Sequence, residues 1–146
     1  MNNIKLEIAA LSENVAMARV VAAQFIASLD PTVEEVTEIK TAVSEAVTNA
    51  IIHGYGNFDD NDKSAPTVII SLSVSNREIT IEVSDKGVGI ENIESAREPL
   101  FTTKPEMERS GLGFTVMESF MNKVEIFSRP GEGTTIKMVK ELGASA

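Results

Sequence analysis

Asp85-Lys86-Gly87-Val88-Gly89 is the stretch of this chain whose residue types most directly suggest chemistry. Asp85 continues the odd-numbered parity of Ile79, Ile81 and Val83, so on a strand it aims at the covered side of a sheet. A carboxylate removed from water without hydrogen bonds is costly, and this one needs a partner. The two glycines mark a place where the backbone turns sharply or comes very close to something. A ligand amino group would satisfy both features, and so would a plain turn that closes a strand.

Ser110-Gly111-Leu112-Gly113 leads into apolar positions Phe114, Val116, Met117 and Phe120 at helical spacing. Free N–H groups at a glycine-rich helix start attract an anion such as phosphate, although a loop glycine near an N-cap has the same composition. Thr102-Thr103-Lys104 could touch a polyphosphate or simply keep a loop soluble. Glu45 and Asn49 are four apart and share one helix face, with Ala42 and Ile52 on the same side leaving room for a shallow pocket. That spacing equally describes a solvated face. Gly131-Glu132-Gly133-Thr134-Thr135 reads as a hairpin turn entering a strand. Arg19 interrupts an apolar helix surface, either snorkelling or contacting a partner. His53 is the single histidine, placed where it would cap a helix end, which excludes histidine-rich metal sites.

These residues must be held by elements that the hydrophobic pattern outlines. Ile4, Leu6 and Ile8 alternate as a strand, and Ser12 stands where it could cap a helix running from Glu13 to about Leu29. Asp30-Pro31 breaks that helix. Thr32 caps a second, with Glu34 and Glu35 at its positive end and an apolar stripe through Val36, Ile39, Val43, Ala46, Val47 and Ala50, ending near Gly54. Residues 57–66 are polar and rich in turn formers. Val68 to Val74 and Ile79 to Val83 form a hairpin about Ser75-Asn76-Arg77, and a short helical piece follows Gly89. Arg97 to Ser110, with two prolines, reads as a loop; Gly111 opens a helix to about Asn122, and a second hairpin joins Val124–Phe127 to Thr135–Val139. The expected fold is α+β, a two-layer sandwich with a mostly antiparallel sheet and helices on one face.

The chain's 146 residues fit one domain, 1–146. Acidic residues outnumber basic ones 22 to 13, and the net charge of -9 argues against direct binding of nucleic acid. Without cysteine there is no disulfide, thiolate chemistry or Cys-zinc site. The N-terminus lacks the pattern of a secretory signal, and Val15 to Leu29 is too short and interrupted to span a membrane, so a cytoplasmic location is expected.

Taken in order, Glu45 and Asn49 on a helix, Asp85-x-Gly87-x-Gly89, a loop, Gly111-x-Gly113 and Gly133-Thr134-Thr135 resemble the GHKL ATP-binding family and its Bergerat fold, over nearly the whole chain. Ser44-Glu45-Ala46-Val47-Thr48-Asn49-Ala50-Ile51-Ile52-His53-Gly54-Tyr55 and Pro99-Leu100-Phe101-Thr102-Thr103-Lys104-Pro105 resemble, more narrowly, its anti-sigma serine kinases of sporulation. The resemblance implies ATP and Mg2+ as cofactors, with Asn49 as the magnesium ligand and Glu45 as the catalytic base. It makes Asp85 the acceptor for the adenine amino group, lets Gly87 and Gly89 bring the backbone to the base, and gives Thr134 or Thr135 a water-mediated contact there. Gly111, Leu112 and Gly113 would present amides to the phosphates under a lid of about residues 97–110 carrying Thr103, Lys104 and Arg109. The implied partners are a sigma factor of the sigma F type, an anti-anti-sigma protein phosphorylated on serine, and a second copy in a homodimer, with Arg19 and Arg109 as contact candidates. Kinases of the general stress sigma factor, and an ATP-gated binding module without kinase activity, are the alternatives.

Overall fold

The computed structural model describes residues 1–54, 66–87, 89 and 113–143. Five strands, β1 (Asn2–Ala9), β2 (Thr67–Ser75), β3 (Glu78–Asp85), β4 (Lys123–Ser128) and β5 (Thr134–Glu141), form one sheet in the order β1-β2-β3-β5-β4. Every described pairing is antiparallel, so the sheet is simpler than the mixed one expected. Short turns join β2 to β3 and β4 to β5, and only antiparallel neighbours can be joined that way. Asn76 takes the left-handed φ of 56° that the two-residue Asn76–Arg77 turn requires.

Strict alternation decides which face is covered. The row Leu6, Ile70, Val83, Ile136 and Ile126 crosses all five strands in register and meets the helices. The adjoining row on the other face is Lys5, Ser71, Glu82, Lys137 and Glu125, where Lys137 lies between two glutamates. Opposite charges directly across strands contribute about 0.2–1 kcal/mol each, enough to reinforce a register that the apolar row already fixes.

Among the described residues three helices, α1 (Val15–Ile26), α2 (Val33–Asn49) and α3 (Gly113–Phe120), supply the second layer. Ala18, Ala22 and Ile26 of α1, Ile39, Val43, Ala46 and Val47 of α2, and Met117 of α3 are buried. The start of α2 is a full capping box: the Thr32 hydroxyl accepts from the Glu35 N–H at 3.0 Å, and the Glu35 carboxylate accepts from the Thr32 N–H at 2.9 Å. Asp30, with φ of 51°, ends the preceding helical segment before Pro31, as the sequence indicated. Ser12 does not cap α1. It lies within a 3-10 turn, Ser12–Asn14, that makes no side-chain cap, and the Asn14 carboxamide donates instead to the Ala9 carbonyl. Within the described residues α3 spans Gly113 to Phe120, stopping short of Asn122 because the Asn122 N–H already donates to Val139 of β5. Among the described residues no helix is long and apolar enough to cross a membrane.

Candidate functional site

Register gives the sheet two distinct ends. Asp85 closes β3 opposite Thr134, the first residue of β5, while at the other end Ile79 pairs with Lys140. α2 runs antiparallel to β5, since Glu35 accepts from the Gly143 N–H and, one turn on, Glu38 accepts from Lys140. Its C-terminal residues Glu45 and Asn49 are therefore carried away from Lys140, toward the end that holds Asp85. The five residues that follow, Ala50–Gly54, form a π turn packed against β3. Single π turns in otherwise α-helical segments recur beside functional sites, because they re-aim the helix end by one residue. Glu45 and Asn49 are both half-buried, with Ala42 and Ala46 of the same helix fully buried.

Asp85 is 7% exposed and faces the helix-covered side, as its parity requires. Burial raises its carboxyl pKa above the usual 3.8, and hydrogen bonds from the Gly87 and Thr134 backbone N–H groups partly offset that effect. The Gly87 N–H donates to Asp85 Oδ1 at 2.8 Å. The partner demanded by burial is thus partly internal. An ionised carboxylate offers about four lone-pair sites. Among the described residues two backbone donors, those of Gly87 and Thr134, occupy part of that capacity.

Thr134 is buried at 5% exposure, and its hydroxyl lies 2.8 Å from Ser128 Oγ, which also donates to the Gly133 carbonyl at 2.9 Å. A serine hydroxyl has one proton. With that proton on Gly133, Thr134 must donate to Ser128, so the Thr134 oxygen remains as an acceptor beside Asp85. Thr135 points to the opposite face, where its hydroxyl meets Ser84 at 2.9 Å. Register therefore puts Thr134, and not Thr135, on the face that Asp85 occupies. Ser128, which completes this arrangement, is the last residue of β4, one past the strand expected to end at Phe127, and carried no sequence signal.

The glycines are explained by backbone packing. Gly133 has φ of 84°, and a Cβ there would lie 2.2 Å from the Asp85 carbonyl oxygen; Gly89 has φ of 77°, and its Cβ would meet the Arg129 carbonyl at 2.1 Å. The close approach expected near Gly89 is made, at least in part, to the β4–β5 hairpin of the protein itself. Both glycines let the backbone around the end of β3 pack closely against the β4–β5 turn beside Asp85.

Gly113 is the first described residue of α3, whose C-terminus, Phe120, lies beside Lys140 at the far end of the sheet. Arg19 is exposed on α1. The backbone of His53 lies in the π turn. Thr103, Lys104, Arg109, Gly111 and Leu112 lie outside the described residues, as does the segment expected to form the lid. Among the described residues no three His, Cys, Asp or Glu side chains gather as a metal site. Mg2+ is commonly held by one or two protein oxygens together with substrate phosphates, and the Asn49 carboxamide oxygen is a donor of that kind.

The comparisons with known proteins bear on this arrangement. The histidine kinase-like ATPase domain matches residues 8–140. An anti-sigma F factor of Clostridium perfringens is 58% identical over 141 residues, 97% of each chain, and that of Anoxybacillus flavithermus is 55% identical over 144 residues, 99% of this chain and 95% of its own. The chain belongs to the anti-sigma F factor family. The Bacillus subtilis member is 54% identical across 99% of this chain and 95% of its own. The fold has a solved counterpart in the RsbU and RsbW domains of a Mycobacterium tuberculosis protein, with a TM-score of 0.68 at 17% identity, over all of this chain and 34% of that one. Family membership makes the chain an anti-sigma factor homologue built on an ATPase domain, with the α+β architecture expected from sequence.

Proposed function

We infer that the protein is an ATP-dependent protein-serine kinase that also sequesters a sigma factor of the sigma F type, its kinase substrate being an anti-anti-sigma protein. The observation that carries the nucleotide part is the buried Asp85 carboxylate with the Thr134 hydroxyl oxygen beside it. Two acceptors at the floor of a site suit a ligand that brings an N–H donor, as the adenine amino group does. In this reading Asn49 supplies an oxygen to Mg2+, which neutralises phosphate charge when bound. Gly111, Leu112 and Gly113 offer backbone amides to the phosphates, while Thr103, Lys104 and Arg109 close over them.

Phosphoryl transfer requires positioning and charge stabilisation more than covalent help from the protein. The serine oxygen forms its bond to the γ-phosphorus, the bond to the β–γ bridging oxygen breaks, and ADP departs. Glu45 accepts the serine proton. A homodimer with Arg19 and Arg109 on the partner surface completes the reading. The relatives' name supports the sigma-factor role, and the half-buried Glu45 favours a kinase over an ATP-gated clamp, since a clamp has no use for a base beside the γ-phosphate.

The decisive experiment follows label from γ-labelled ATP, with Mg2+, onto a purified anti-anti-sigma protein. Wild type should transfer label, while Glu45→Gln should bind ATP within about threefold of wild type and lose transfer by roughly 10²-fold or more. Undiminished transfer by Glu45→Gln removes the assigned base. Nucleotide binding by wild type with no labelled partner favours the clamp.

A further inference from the structure

Side-chain polarity changes abruptly along the helix-covered face of the sheet. The row Ile4, Leu72, Ile81, Met138 and Val124 is apolar on all five strands, and so is the row that contains Val83 and Ile136. The next row toward the Asp85 end keeps Ile8 and Val68 on β1 and β2, but carries Asp85, Thr134 and Ser128 on β3, β5 and β4. Asp85 at 7% and Thr134 at 5% exposure are as buried as core residues, and Ser128 is half-buried behind them on the edge strand. A sheet end that served the fold alone would be better made by continuing the apolar rows, because each polar group taken from water must be matched by a hydrogen bond to avoid a penalty.

The hydroxyls give this polar row a direction. Ser128 Oγ donates to the Gly133 carbonyl at 2.9 Å and lies 2.8 Å from Thr134 Oγ1. A carbonyl can only accept, so the single Ser128 proton goes to Gly133 and the contact between the two hydroxyls is made by the Thr134 proton. The Thr134 hydroxyl is thereby held in one orientation, its proton turned to β4 and its oxygen presented as an acceptor beside Asp85. A threonine without that neighbour could turn its proton the other way and offer a donor. We propose that Ser128 is a specificity-determining positioning residue: by taking the Thr134 proton it makes Asp85 and Thr134 a pair that only accepts, so that the site selects a base with an amino group on its edge against one with a carbonyl at the same place. The proposal rests on the reading of Asp85 and Thr134 as the base-binding pair. A carbonyl oxygen facing two acceptors has no proton to share with either, and a site built to receive a donor rejects a ligand that lacks it.

The test measures ATP and ITP affinities of the full-length protein with Mg2+, since ITP carries a carbonyl where ATP carries the amino group, and thermal melting confirms folding. Wild type should prefer ATP by at least about tenfold. Ser128→Ala frees the Thr134 hydroxyl and should shrink that preference by about threefold or more, through weaker ATP binding with ITP binding equal or tighter; Ser128→Thr, which keeps a hydroxyl, should stay within about twofold of the wild-type ratio. In a Thr134→Val background the ratio should no longer respond to Ser128→Ala, because the effect passes through the Thr134 hydroxyl. Equal losses for both nucleotides would mean that Ser128 only closes the hairpin, and an unchanged ratio would mean that it sets no polarity; either overturns the proposal, as does an undiminished response in the Thr134→Val background. Should Ser128→Ala fail to fold, Ser128→Cys, whose thiol is a weak hydrogen-bonding group, decides by the same ratio. A wild type that binds ATP and ITP equally overturns the base-binding pair itself, a result visible before any variant is made.

Discussion

Asp85 combines two tendencies that pull in opposite directions at neutral pH. Its folded pKa is raised by burial, so the folded protein holds this proton more tightly than the unfolded chain does. The stability this group contributes is complete below its ordinary 3.8 and is lost as pH rises through the raised value. The ionised form at pH 7 therefore works against folding. Asp85→Asn should melt at or above the wild-type temperature at pH 7 while losing at least tenfold in ATP affinity, and a large loss of stability would contradict this account. The neighbouring glycines give a controlled pair. Gly131 and Gly133 both have left-handed φ, but only Gly133 would drive a Cβ into backbone, at Asp85. Gly131→Ala should cost about 1 kcal/mol from strain alone, and Gly133→Ala at least ~2 kcal/mol, as read from urea midpoints. Parity made the direction of Asp85 legible from sequence. The choice between Thr134 and Thr135 was not, since it depends on a register shared with a strand some fifty residues away. The roles of Glu45 and Asn49 came through resemblance, because their spacing fits any exposed helix face.

At the scale of elements, the capping box on α2 was legible because its signal is local, a threonine with a glutamate three residues on. Its reach was not. Glu35 also accepts from the Gly143 N–H at 2.8 Å, and the Arg77 side chain bonds the Leu29 carbonyl at 2.8 Å and the Gly143 carbonyl, so one knot joins α2, the β2–β3 turn and the end of the chain. Hydrogen bonds from the Thr32 and Gly143 backbones hold the Glu35 carboxyl below its ordinary 4.5. With the folded pKa lowered, its contribution is present above 4.5 and fades as pH falls through the folded value. Thr32→Ala should cost about 1 kcal/mol, a drop of roughly 2–4 °C in melting temperature for a chain of this size. The stability gap between wild type and Glu35→Gln should be full at pH 6 and close below pH 4.5. A gap that is independent of pH would assign the effect to packing. The π turn after α2 had no sequence signal: residues 50–54 continue the apolar helical pattern, and only packing against β3 distinguishes the wider turn.

Across the whole molecule, the net charge of -9 is a physical handicap for a protein read as binding a polyphosphate. The same charge draws a basic protein surface. Association with a sigma factor should therefore weaken as salt rises, mainly through slower association, and salt-insensitive binding by stopped-flow or surface capture would discredit that attraction. Fold class was readable at this scale because alternation and helix punctuation agreed along the chain, leaving only the sheet's uniform antiparallel character to be learned. The strand order has a kinetic consequence. β2 and β3 meet across two residues, and β4 and β5 across a short turn, so each hairpin can form with little loop entropy. β1 and the central seam between β3 and β5 must instead wait for distant chain to return. Substitutions inside either hairpin should slow refolding, whereas those in β1, such as Ile8→Val, should chiefly accelerate unfolding. The strand that begins the chain would then be among the last to be secured, and the first to let go.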